Sequence, residues 1–451
     1  MPFADPQPSA AALDAFIALC GESAWRGRLA DLGSRARSGS LSGRAAQHRH
    51  ALELALARLC DKVLDDRRAL ARASLAERRL CAFAGEAVQL AESLPPIPRD
   101  RLRQEILAGL TGEGTLIPLF HLLRTAAQFR SRGFAVRFAG LAEGAPHDLL
   151  VERDGATAAV ACETVSAEEG RPLHRGDWYA LVDRINPGLQ NWLAAHPGRY
   201  LLKMTLPEGI GGPDQLAGLQ QRISGLLAAE RQQDAGGLQA VLKLDPLILA
   251  GAQAQDQAGG LPARLRAQFG PEAHLAVTAD SGSGSVFVMA ARVTRENEIA
   301  AAVCRRLALA AERRLSGREP GILSVLLEDV DRTEWQALRE RLELEGAVRR
   351  FLTAPVARRV VAVSCASRLE LFGASRPDGA EGGSPLPQPG PSGGPVSGAG
   401  AGHSLLDVMR AGQPRPVAEM PGNPPDFATF FPMIYKAGPF LGRPGARTRT
   451  R

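Results

Sequence analysis

Lysine is scarce in this chain. Only Lys62, Lys203, Lys243 and Lys436 occur among 54 basic residues, so arginine carries nearly all the positive charge and each lysine becomes a marked position. Aromatic residues make up 5% of the sequence. The six cysteines (Cys20, Cys60, Cys81, Cys162, Cys304 and Cys365) form no C-x-x-C pair, which argues against a zinc site or a disulfide framework. They read as small buried hydrophobes of a reducing compartment, and the expected location is cytoplasmic. The start Met1-Pro2-Phe3-Ala4-Asp5-Pro6 lacks a basic stretch followed by an apolar one, so no signal peptide is expected. No apolar run reaches the roughly 18 residues of a membrane span, and no membrane partner is expected. Phosphate loops of the G-x-x-x-x-G-K-[ST] type and H-E-x-x-H are missing, and no G-x-S-x-G stands as an elbow between a predicted strand and helix.

At 451 residues the chain is long enough for two or three domains. The net charge of +6 is unevenly spread: residues 1–140 hold 20 basic and 14 acidic groups, whereas 141–374 hold 26 and 29. Attraction to a phosphate backbone would therefore come mainly from the N-terminal part and from the basic tip 443–451. A solvated surface with no nucleic-acid partner accounts for the same charges.

Residues 1–95 read as a helical module. Leu13, Phe16, Ile17 and Cys20 make a 3.6-residue stripe, as do Leu52, Leu56, Leu59 and Val63. Two long helices over 42–66 and 68–93 would form a hairpin ended by Pro95-Pro96-Ile97-Pro98, where a domain boundary is predicted. An α/β body over 100–374 follows. Helices are predicted at 100–111 and 115–131, then strands at 134–138, 147–152 and 158–164. A helix from about 177, capped by Asp177 and kinked or broken at Pro187, leads to a strand at 200–206. Alternation continues with helices at 213–231, 296–315 and 332–352, and strands at 240–244, 274–278, 286–291, 322–327 and 359–364. From 375 to 451 the chain reads as a disordered Gly/Pro-rich tail, with one apolar segment at 427–435 suited to docking on the body or on a partner protein.

Two acids stand out on adjacent predicted strands: Asp148 in Pro146-His147-Asp148-Leu149-Leu150-Val151 and Glu163 in Val160-Ala161-Cys162-Glu163-Thr164-Val165. A carboxylate near a core is costly unless it is paired, hydrogen-bonded or bound to a cation. Two of them could hold one Mg²⁺ or Mn²⁺. Downstream, Arg171, His174 and Arg175 precede a helix N-terminus, a combination that suits a substrate phosphate. Trp178 and Tyr179 suit either base stacking or packing of that helix. Glu105 and Glu113 lie in or near the helices before the strands, where either a third carboxylate or a surface charge fits. Asp329 and Asp331 read as an acidic site or as a turn and a helix cap.

Over about 115–206 this order resembles the restriction-endonuclease-like, or PD-(D/E)xK, nuclease superfamily, with an αβββαβ core. The resemblance implies a mixed sheet with flanking helices and a metal-dependent phosphodiesterase acting on DNA or RNA, with Asp148 and Glu163 as catalytic metal ligands. Two departures follow. Pro-Asp is interrupted by His147, and the motif lysine position holds Val165. Lys203, on the strand expected to share the sheet of Glu163, is the substitute the resemblance suggests. The alternatives are a catalytically inactive nuclease-fold binding module and a protein-interaction protein whose helical module or 427–435 segment contacts a partner.

Overall fold

The computed structural model describes residues 9–36, 40–210, 212–229, 273–280, 284–315 and 319–368, together with short pieces at 233–234, 241–246 and 405–409 and the single residues 269 and 317. Apolar periodicity becomes helix first. α1 (Ala10–Cys20), α2 (Glu22–Ala36), α3 (Leu41–Arg49), α4 (Ala51–Asp65) and α5 (Leu75–Ser93) form the N-terminal module. The two long helices expected there are shorter than predicted. His50, with φ −100 and ψ 27, separates α3 from α4, and a 3₁₀ segment at Arg67–Arg72 precedes α5. α5 starts sharply because Ser74 and Glu77 cap each other reciprocally. The prolines at 95–98 do not open a linker: α6 (Pro96–Gly109) begins at once, with proline in its first turn, where its missing N–H is harmless. α7 (Ile117–Ser131) then enters the body.

The described residues form two sheets. After α7 come β1 (Ala135–Arg137), the short α8 (Ala139–Glu143), β2 (Leu149–Arg153) and β3 (Ala156–Ser166). α9 (Arg175–Ala195), β4 (Arg199–Leu206), α10 (Pro213–Ala228), β5 (Gln233–Asp234), β6 (Val241–Pro246), β7 (His274–Asp280) and β8 (Ser285–Val293) follow. The chain continues through α11 (Ile299–Arg314), β9 (Gly321–Glu328), α12 (Arg332–Glu340), α13 (Glu343–Thr353), β10 (Val360–Ser367) and β11 (Leu405–Met409). The six-stranded sheet has the order β1-β2-β3-β9-β10-β11, and the five-stranded one β5-β6-β4-β8-β7. β1, β2 and β3 form an antiparallel meander, and β9 and β10 are parallel to β3.

Three expectations change. The strand at 200–206 was expected beside the acid-bearing strands, but β4 pairs with β6 and β8 in the other sheet, and β3 receives β9 instead. Residues 167–298 are thus an excursion that builds a second sheet before the chain returns. Pro187 is accommodated inside α9, which starts at Arg175 rather than Asp177. One predicted helix at 332–352 is two, divided at Leu342, whose φ is +55.

One core joins α1, α4, α5, α6 and α7 to the six-stranded sheet through Leu149, Val160, Ile322, Leu326 and Ala362, so the helical module shares its interior with the body. The opposite face of that sheet packs on α11, α12 and α13. Among the described residues, no helix is long and apolar enough to cross a membrane. Of the predicted tail only Leu405–Met409 is described, and it is an edge strand antiparallel to β10. The 427–435 segment and the basic tip lie outside the described residues.

Candidate functional site

Asp148 and Glu163 do come together, and a third side chain defines their meeting. Asp148 ends the turn into β2; its backbone N–H donates to Val160 O at 3.0 Å and its Oδ2 accepts from Cys162 N at 2.7 Å. Glu163 lies on β3, opposite Val325 of β9, on the face covered by α11. At the last position of α11 stands Arg314. Its Nη2 donates to Asp148 Oδ1, and its Nη1 to Glu163 Oε1 and to Cys162 O, both at 2.9 Å. Its Nε donates to Pro146 O at 3.1 Å. Two carboxylates and two backbone carbonyls therefore surround one guanidinium, whose planar fork suits such a set of acceptors.

The side chains of Arg314, Asp148 and Glu163 retain only 26%, 23% and 16% of their exposure. Burial pushes the Asp148 carboxyl above its usual range, despite the neighbouring Arg314 and the Cys162 N–H. Burial also opposes the Arg314 charge, but Asp148 and Glu163 outweigh it and hold the guanidinium more firmly protonated. Glu105 of α6 feels both: burial and the Asp148 charge raise its carboxyl, and Arg314 opposes them.

This donor set does not fit a divalent metal. The two facing carboxylate oxygens are committed to a group that cannot lose its proton near neutrality. Among the described residues, no three His, Cys, Asp or Glu side chains converge as metal ligands.

Lys203 stands elsewhere. It is on β4 of the five-stranded sheet, in register with Lys243 and Ala290, and its ammonium is 5.9 Å from the Phe269 ring centre. The acids lie in or beside the other sheet, and their cation is supplied by α11. Sequence reasoning missed Arg314. The available signal was Gly321–Leu327, an apolar run broken by Ser324 that reads as a central parallel strand, preceded by a helix ending in Arg313-Arg314.

The expected phosphate contacts form a second constellation at the carboxyl end of β3. Arg171, 5% exposed, donates to Glu168, to both oxygens of Glu334 at 2.7 Å and to Asp329 O at 2.9 Å. Arg175 donates to Glu334 at 2.9 Å and lies 3.4 Å from Asp331. Burial raises the Glu334 carboxyl, but Arg175 and then Arg171 outweigh it, so the net shift is downward. The arginines thus tie the start of the excursion to the capping box of α12, formed by Asp331 and Glu334. His174 is the exposed N-cap position of α9. Trp178 is 1% exposed and packs in the second sheet's core, which makes it a packing residue; Tyr179 packs partly buried against the same core.

Gly170 lets this loop touch α11. A Cβ there would lie 2.5 Å from Ile299 Cα and 2.6 Å from Ile299 N, and the Gly170 carbonyl accepts from Glu298 N at 2.7 Å. Gly170→Ala should therefore cost roughly 2–3 kcal/mol in urea unfolding, because backbone must move to admit one methyl. An unchanged midpoint would show that the helix start yields freely.

Comparison with known proteins finds no matching family model, no matching curated protein and no matching solved structure.

Proposed function

We propose that this chain is a catalytically inactive nuclease-fold module that acts by binding a nucleic acid or a protein. The succession α7-β1-β2-β3-α11-β9 supports the nuclease-fold part. It follows the αβββαβ order of the restriction-endonuclease-like superfamily, with a parallel β3–β9 pair, the short α8 between β1 and β2, and residues 167–298 inserted before the core helix. The observation that carries inactivity is Arg314, fixed by four acceptors between Asp148 and Glu163. A cation entering there must expel a charged guanidinium and leave two backbone carbonyls to be satisfied again.

A divergent metal-dependent phosphodiesterase is the second reading, favoured by the convergence of Asp148 and Glu163. Calorimetry with Mg²⁺ and Mn²⁺ separates the two when run on wild type, Arg314→Ala and the Asp148→Ala/Glu163→Ala double variant. The expected result is no heat of binding in wild type and no cleavage of labelled DNA or RNA. Metal binding and cleavage in wild type that vanish in the double variant would overturn inactivity and establish the phosphodiesterase.

A further inference from the structure

We infer that the outer edge of β10 is a docking site for an extended, mainly apolar segment of a partner protein, and that β11 is the chain's own tethered occupant of that edge, displaced when the partner strand pairs.

The two sides of the six-stranded sheet are built differently. β1 closes one side with three residues, the last of them Arg137, and short charged strands are a common way for an edge to resist pairing with other chains. β10 has no such protection. Val360–Ser367 contains neither a charge nor a proline, and six of its eight residues are buried. A strand of that composition belongs inside a sheet, with neighbours on both sides. β9 is its neighbour on one side. On the other it takes β11, antiparallel, with Ala362 opposite Met409 and Ala366 opposite Leu405. Helix α13 lies against both β10 and β11, so strand and helix together form the groove in which β11 sits.

The sequence around β11 marks it as a separable unit. Residues 369–404 lie between Arg368 and β11, and 21 of these 36 are Gly, Pro or Ser. Gly412, Pro414 and Pro416 follow it closely. Leu405-Leu406-Asp407-Val408-Met409 is thus a short stretch able to pair, bounded by residue types that do not extend a strand. Five residues paired on one side open at the low end of a protein's stability range. The tether holds them near β10 at an effective concentration on the order of millimolar, so a micromolar solution of the chain pairs within each molecule rather than between copies. A strand from another protein gains the same main-chain hydrogen bonds and competes against that local concentration. The chain's own segment gives the pattern the edge accepts: extended, and apolar but for one acidic position.

This surface goes beyond the reading above and does not rest on it. β10 lies two strands from β3, which carries Glu163, so a result at one site leaves the other open.

A fluorescent peptide with the sequence of residues 403–411 serves as the partner strand, titrated with the full chain and read by anisotropy. Asp407→Pro/Val408→Pro, which stops the chain's own segment from pairing, should bind the peptide about tenfold or more tightly than wild type does. A chain with residues 369–404 duplicated keeps both strands intact and dilutes the tethered one, so it should bind about threefold more tightly than wild type. A peptide carrying the same two prolines should bind none of these chains. Equal affinity of wild type and both variants overturns the proposal, as does no measurable binding to either variant or equal binding of the proline peptide. Dimerisation of wild type at micromolar concentration, seen by light scattering and lost in the double-proline chain, would place a second copy's β11 on the edge and overturn the tethered arrangement.

Discussion

Arg314→Ala is expected to destabilise the fold by about 3 kcal/mol at pH 8, because it leaves Asp148 and Glu163 facing each other with little water and no counter-charge. The loss should depend on pH. Burial already raises the Asp148 carboxyl with Arg314 in place, and removing the guanidinium raises it further. A carboxyl raised in the folded state stabilises the fold at low pH and progressively less as pH rises through its folded value. The deficit of Arg314→Ala relative to wild type should therefore shrink steadily between pH 8 and pH 5. Chemical denaturation at four or five pH values measures it. A deficit independent of pH would place the loss in packing at the end of α11 rather than in the carboxylates.

Arg171→Ala should be the more damaging change, by about 4 kcal/mol, because this guanidinium is nearly fully buried and holds Glu168, Glu334 and the Asp329 carbonyl at once. Its loss leaves Glu168 and Glu334 facing each other, with Arg175 as the one cation paired with both among the described residues. Glu334→Gln should be costly by itself yet should recover about 1–2 kcal/mol in the Arg171→Ala background, a coupling that a double-mutant cycle isolates. Arg171→Lys should not restore stability, since a point ammonium cannot bridge both oxygens of Glu334 and two further acceptors. Strict additivity of the two substitutions would mean that the ion cluster does not act as a unit.

Both experiments probe the same design. The two arginine-centred clusters sit where the chain leaves and re-enters the six-stranded sheet. Arg171 and Arg175 fasten the start of the excursion to the loop after β9, and Arg314 fastens the helix that brings the chain back. A buried or half-buried ion pair adds little to stability compared with an apolar replacement, but it penalises every arrangement in which its partners fail to meet. For a chain with 132 residues inserted between β3 and α11, at positions 167–298, such pairing rules help to fix which strand docks beside β3.

Local structure was largely written in the sequence. Each of the nine predicted strands is present, because period-two alternation or short apolar runs bounded by Gly, Pro and Asp report which residues can be covered by a sheet. The turn at Asp154-Gly155 was visible from its residue types, both of which adopt positive φ. Asp148 and Glu163 could be picked out as partners because two acids amid apolar strands require compensation. Tertiary structure alone decided what compensates them. The family resemblance made Lys203, on the strand expected beside Glu163, the candidate cation, but hydrogen-bond pairing sends β4 to another sheet, and the required charge arrives from Arg314, 151 residues beyond Glu163. The same holds for Arg171 and Arg175: a basic loop before a helix looks open to phosphate until the loop after β9 brings Asp331 and Glu334 against it. Periodicity records whether a residue faces a core, since that depends on its immediate neighbours. It does not record which distant segment completes that core, because the choice among strands is made by the packing of whole layers.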